Sequence, residues 1–381
     1  MKDRLSLFVF IDAFGWEVYQ RYRFFLEDLR RDAKRLDTIF GYSSACDPSI
    51  ITGVTPSEHR MWSSFYYAPG TCPYRWLRFL SFLPDAIFSR GRVRYWMSNL
   101  IKRIHGFTGY FMLYSVPFRL LPLFEYAEKR SIWKEGVVRG TTIFQRLAKA
   151  GIPYYVHDSG TSDDAKLAKL RGRIERQEID FAYVSLGKLD ALMHRVGNEG
   201  PEVTDLVRWY DARVRELLDA AAGRYREVAW YVFTDHGMHN TTAEYDLISD
   251  VEALGLKFGR DYVAFYDATM ARFWFLTDGA RRTIREALAK HPKGRIVPDD
   301  ELRALGVFFE DHQYGELVFL MNSAIQLVPS FMGAKGVKGL HGFHPADADS
   351  SASLISNRPL PADVTAIHHI YRLMLRETGL G

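Results

Sequence analysis

Three apolar runs in this chain each end on a carboxylate, and no other feature constrains its fold as strongly. They are LFVFI followed by Asp12, FAYVSLGKL followed by Asp190 and then His194, and AWYVFT followed by Asp235 and His236. Runs rich in Val, Phe and Tyr read as buried parallel strands, and ligand sites in open α/β sheets gather beyond the carboxyl ends of such strands. The three carboxylates are therefore expected to converge on one crevice. Carboxylates crowded together repel and take up protons, so a site that gathers several of them with histidines is best explained by bound divalent cations. The mixture of oxygen and nitrogen donors favours Zn2+, with Mn2+ also fitting.

Each piece alone has a plainer reading. A lone Asp after a strand caps a helix or turns the chain, and an Asp-x-x-x-His pair shares one helix face without needing a metal. Adjacent Asp235 and His236 at the end of a buried run are costlier without a partner. Together, in this order, the three segments argue for a site. Two further segments lie where such a site would need them. GYSSACDPSIITGVTPSEH carries Ser43, Ser44, Thr52-Gly53, Pro56 and His59, and KGLHGFHP places His341 and His344 in a loop whose glycines let side chains reach inward.

On these residues the chain resembles the alkaline phosphatase superfamily, in its branch of type I phosphodiesterases and nucleotide pyrophosphatases. Asp12, the Ser-to-Thr-Gly segment, Asp190 with His194, Asp235 with His236, and His341 occur in the family's order over most of the chain. The resemblance implies two metal ions, one held by Asp12, the nucleophile, Asp235 and His236, the other by Asp190, His194 and His341. It also implies a nucleophile nine residues before the Thr of the Thr-Gly pair, which counted back from Thr52 is Ser43, with adjacent Ser44 as the alternative. The family's Pro and Asn after the nucleophile are Ala45 and Cys46 here, and its His-Gly is His59-Arg60, so His59 is expected to be structural. The implied activity is hydrolysis of a phosphodiester or pyrophosphate bond through a phosphoserine intermediate at a two-zinc site, on a small-molecule phosphoester. Alternatives are a phosphomonoesterase, a phosphotransferase acting on a glycan or lipid head group, or a metal-binding scaffold without turnover. Neither serine opens the Cys/Ser-x-Pro-x-Arg pattern of a sulfatase.

With 381 residues, 47% of them hydrophobic, the chain can bury a large core. Strand patterns near 5–11, 152–156, 180–185, 228–234 and 316–320 alternate with helical patterns in WEVYQRYRFFLEDLRRDA, TTIFQRLAKA, and near 161–176, 202–222 and 279–290. An amphipathic helix closes the chain. This predicts an α/β fold: an alkaline-phosphatase-like core with a mostly parallel sheet, helices on both faces and an inserted lid, forming one domain over 1–381. A net charge of +4 does not point to specific nucleic-acid binding, and Cys46 and Cys72 are too few for a disulfide scaffold. The apolar run at the start is short, contains Asp12 and lacks a small-residue cleavage site, so the expected location is cytoplasmic, with attachment at a membrane surface as a variant. Nothing in the sequence sets an oligomeric state.

The segment 60–140 departs from a minimal core. It carries Trp62, Trp76, Trp96 and Trp133, with Lys and Arg in excess of Asp and Glu. It reads as a basic, aromatic insertion that forms a lid and selects substrate, with Arg92 and Arg94 expected to hold an anionic group; docking on a membrane surface is the second reading. Pro117, Arg119 and Pro122 interrupt its most apolar part, which argues against a spanning helix.

Overall fold

The computed structural model describes residues 1–80, 90–158 and 160–381. Its central sheet has six strands. Strand β1 (Lys2–Ile11) lies in the middle, flanked by β4 (Phe181–Leu186) and β5 (Tyr225–Phe233), both parallel to it. Beyond β4 comes β3 (Tyr154–Val156), also parallel, and beyond β5 come β10 (Ala352–Ser356) and β2 (Asp32–Leu36), each antiparallel to its neighbour. Only β10 therefore runs against the other five, and the expected mostly parallel sheet is found.

The period-two alternation of β1 sorts its side chains onto two faces. Phe8 and Phe10 pack with helices α2 (Ser43–Thr52) and α4 (Ile143–Lys149) and with the C-terminal helix α9 (Ile370–Thr378). Leu5, Leu7, Val9 and Ile11 pack on the other side with α5 (Asp163–Glu175), α6 (Lys188–Val196) and α7 (Pro201–Ala222). Buried on both faces, the central strands are almost wholly apolar, which is why they read as continuous hydrophobic runs.

Two sequence expectations fail. The pattern after β1 predicts one long helix, but α1 (Trp16–Arg21) stops within two turns. Leu26 then adopts a left-handed conformation (φ 47°) with its amide on Asp211 Oδ1 at 2.7 Å, and the chain goes on into β2, which pairs with β10. Long-range pairing has overridden local helical periodicity. Likewise the strand near 316–320 does not join the parallel sheet. As β9 (Leu317–Met321) it belongs to a separate antiparallel sheet, with β6 (Tyr262–Tyr266), β7 (Met270–Phe275) and β8 (Gly294–Val297), and helix α8 (Asp278–Ala289) packs on that sheet.

The insertion packs on this second sheet. Phe65, Tyr74, Met97, Ile101 and Phe111 share a core with Val263, Phe265 and Phe273, and helix α3 (Gly91–His105) lies on its outer side. Residues 81–89 of the expected insertion lie outside the described residues. Among the described residues no helix is long and apolar enough to cross a membrane.

Candidate active site

The three carboxylates leave adjacent strands. Asp12 directly follows β1, Asp235 stands two residues past the end of β5, and Asp190 lies in the first turn of α6, just after β4. The registers Phe10 to Phe233 and Ile11 to Leu186 bring these ends level, so the side chains meet beyond the carboxyl edge of the sheet. Two groups form, each with donor atoms within 4.8 Å of one another: Asp12, Asp235 and His236, and Asp190, His194 and His341. The groups adjoin, because the rings of His236 and His341 stack at 3.7 Å between centroids.

Local structure explains how each donor is aimed. His236 Nδ1 faces the Gly237 carbonyl at 2.9 Å, and His194 Nδ1 faces the Gly339 carbonyl at 2.8 Å. A ring that donates Nδ1–H to a carbonyl turns its Nε2 lone pair the other way, the usual arrangement of a metal-binding imidazole. His236 Nε2 lies 3.1 Å from Asp235 Oδ2 and 3.7 Å from Asp12 Oδ1; His194 and His341 place Nε2 at 3.3 and 3.6 Å from Asp190 Oδ1. Helix α6 is itself fixed from α5, whose Asp163 carboxylate accepts the amides of Gly187 and Lys188 at 3.1 and 3.0 Å and the Tyr210 hydroxyl at 2.7 Å. The Asp235 loop is held by close backbone approach. A Cβ on Gly237 would sit 2.1 Å from the Asp349 carbonyl oxygen, so Gly237→Ala should cost about 1–3 kcal/mol by overpacking and loosen the Asp235–His236 pair. Thermal melts together with metal content would check this.

The electrostatics are those of a cation site. Among the described residues, Asp12 Oδ1, Asp190 Oδ1 and Asp235 Oδ2 are buried without a hydrogen-bond partner, a costly state that divalent cations would relieve. Burial, followed by repulsion from Asp235 and Asp190, drives the pKa of Asp12 well up. Burial and the neighbouring His236 and His194 push His341 well down, leaving it a neutral donor. At His236 burial opposes the charge, but Asp235 outweighs it and raises the ring to about 9. The residues present thus fit two divalent ions.

Ser43 opens α2, with its Oγ 3.1 Å from His236 Nε2. The positive end of that helix's dipole favours an anion there. Ser44 also lines the cavity, but its hydroxyl donates to the Trp62 carbonyl at 3.4 Å and not to the donor groups. His59 is buried against Ser49 Oγ at 2.9 Å, and His344 is drawn off to Glu301 at 2.8 Å, so neither joins the donors.

Both donor groups open onto a cavity of about 710 Å³. The insertion supplies Met61, Ser63, Ser64, Tyr110, Tyr114, Tyr126, Glu128 and Trp133 to its wall. The expected arginines are not there. Arg94 turns inward on α3 and donates to the Val116 carbonyl at 2.6 Å, while Arg92 points outward on the same helix, and neither lines the cavity. Basic composition marked the segment but could not tell which face of α3 meets the site. Asp47, Glu128 and Lys166 line the cavity and were not singled out in the sequence. Asp47 had a readable signal, since it lies four residues beyond Ser43 and so on the same face of α2. Among the described residues its Oδ1 has no hydrogen-bond partner, and burial raises Glu128 to about 7 in spite of the Tyr110 and Ile132 amides.

A family model described as type I phosphodiesterase/nucleotide pyrophosphatase matches residues 6–304. No curated protein sequence matches the chain. Among solved structures, human ectonucleotide pyrophosphatase/phosphodiesterase 5 superimposes with a TM-score of 0.69 at 12% identity, over 100% of this chain and 96% of that one. The murine protein of the same name gives 0.67 at 13%, with the same coverage, in two structures, one of them of an inactive variant in complex with AMP. At such identities the likeness shows a shared, alkaline-phosphatase-like fold.

Proposed function

We propose, from the premise that the chain belongs to the type I phosphodiesterase/nucleotide pyrophosphatase family, that this phosphodiester hydrolase works through a phosphoserine formed on Ser43, with two divalent ions, best Zn2+ and alternatively Mn2+. Asp12, Ser43, Asp235 and His236 would hold one ion, and Asp190, His194 and His341 the other. The observation that carries this reading is the position of Ser43 Oγ, 3.1 Å from His236 beside two adjoining donor groups. Bound metal would supply Lewis acidity, charge neutralisation and a lowered pKa for a coordinated hydroxyl or water.

The rest is done by the chain. Ser43 Oγ attacks phosphorus from the first turn of α2 as the bond from phosphorus to the leaving alcohol's oxygen breaks, and water then hydrolyses the phosphoserine to release phosphate monoester and restore the hydroxyl. The aromatic wall of Tyr110, Tyr114, Tyr126 and Trp133 offers flat surfaces to a ring-bearing alcohol such as a nucleoside and shields the reacting centre from water. A lipid or glycan head group is a second reading, favoured by one observation. Asp47 and Glu128 bring two carboxyl groups without a cationic side-chain partner among the described residues to a cavity meant for an anion, which suits a substrate whose alcohol carries an ammonium group. Asp47→Asn should then raise KM for amino-alcohol diesters and leave nucleotide esters unaffected.

The test is metal analysis with an ester panel. Purified protein should contain close to two ions per chain, lose activity on chelation and recover it with Zn2+ or Mn2+, with chromogenic diesters turned over faster than monoesters. Wild-type metal content and activity in Asp235→Asn and His341→Ala would overturn the ligand assignment. Because imidazole binds metal only when neutral, and His236 holds its proton up to about 9, metal affinity should climb as pH rises toward that value.

A further inference from the structure

Helix α3 has two unlike faces. Arg94, Met97, Ser98 and Ile101 point inward. Arg92, Tyr95, Trp96, Asn99 and Arg103 form the outward face, and Ile104 lies at its edge. Tyr95, Trp96 and Ile104 are 61%, 63% and 56% exposed. Large apolar side chains exposed singly are ordinary, and they become informative when clustered. The helix carries Arg92, Arg94, Lys102 and Arg103 and no acidic residue, and among the described residues neither Arg92 nor Arg103 has a carboxylate partner. Because Arg92, Tyr95, Trp96 and Arg103 do not line the cavity, substrate contact does not account for them.

We propose that this outward face docks the protein onto the surface of an anionic lipid bilayer. Trp and Tyr settle at the head-group level because one end of each is apolar and the other polar, and arginines beside them pair with lipid phosphates. Charge complementarity selects this occupant. The face is uniformly basic and the whole chain carries a net charge of +4, so an anionic surface attracts it from a distance, whereas a neutral bilayer would engage the aromatic side chains alone. A single convex helix face also suits a flat surface better than a peptide, which needs a groove.

The test is flotation of the full chain with phosphatidylcholine vesicles, with and without phosphatidylglycerol. Binding is expected to the anionic vesicles only, weakening as salt is raised. Tyr95→Ser with Trp96→Ser, and separately Arg92→Glu with Arg103→Glu, should each lower that binding by about tenfold or more, while turnover of a small soluble ester stays at the wild-type rate. Unchanged ester turnover also shows that the variants are folded and separates this proposal from the catalytic one. No binding to anionic vesicles, equal binding to neutral ones, or full binding by both double variants overturns it. Concentration-dependent self-association of the wild type that disappears in Tyr95→Ser/Trp96→Ser also overturns it, by assigning the face to a second copy of the chain.

Discussion

Ser43→Ala is expected to lose at least about 10³-fold in kcat on a chromogenic diester, equivalent to about 4 kcal/mol of transition-state stabilisation. The reason is geometric. Ser43 Oγ is the hydroxyl at the start of α2 that meets His236, and replacing Ser43 with Ala removes covalent attack without disturbing the carboxylates and imidazoles around it. Metal content should stay near that of the wild type, since the serine would be one donor of several to one ion. Ser44→Ala is the internal control. Its hydroxyl is spent on the Trp62 carbonyl, so its loss should change kcat by less than about threefold, the effect of one weak neutral hydrogen bond. A dead Ser44→Ala beside an active Ser43→Ala would move the nucleophile by one residue. Normal turnover in both would rule out a phosphoserine.

Arg272→Ala should be the most destabilising substitution near the site, by about 3–5 kcal/mol, the usual result of leaving one member of a buried ion pair alone. Arg272 and Asp267 are 0% and 1% exposed. The guanidinium donates to Asp267 Oδ2 at 2.8 Å and to the Phe65 carbonyl and Ser63 Oγ at 2.9 Å, with the rings of Trp62, Phe265, Trp274 and Tyr314 around it. It thereby ties β7 to the strip Ser63–Phe65, and Ser63, Ser64 and Asp267 all line the cavity. A loss of that size should lower Tm by on the order of 5 °C for a chain this long. Pairing the change with Asp267→Leu should recover much of it, because no uncompensated charge then remains buried. A melting point for Arg272→Ala within a degree of the wild type would show that the pair contributes nothing.

How much of this was legible depended on whether the signal was local. Apolar runs at 5–11, 180–185 and 228–234 become β1, β4 and β5 with boundaries shifted by a few residues, because strands buried on both faces have no alternative use for so much Val, Phe and Tyr. The helix expected over WEVYQRYRFFLEDLRRDA fails after Arg21, since its apolar spacing cannot register the pull of Asp211 or of β10 from the far end of the chain. Arg92 and Arg94 stand out in the sequence by charge, a property of composition, whereas their directions follow from how α3 packs on the antiparallel sheet.

By itself, then, the sequence determined the strands that carry Asp12, Asp190 and Asp235 and the chemical types of the side chains at their ends, and it narrowed the proposed nucleophile to two adjacent serines. Strand and helix periodicities are short-range, and an acid at a strand's carboxyl end has one region of space to occupy. Only the tertiary structure decided that His341 stacks on His236, that Ser43 rather than Ser44 faces the donors, that Asp47 and Glu128 enter the cavity, and that the aromatic residues of α3 face outward. Those placements depend on contacts between segments hundreds of residues apart, where the chain's path and its packing, and no local pattern, choose which side chains meet.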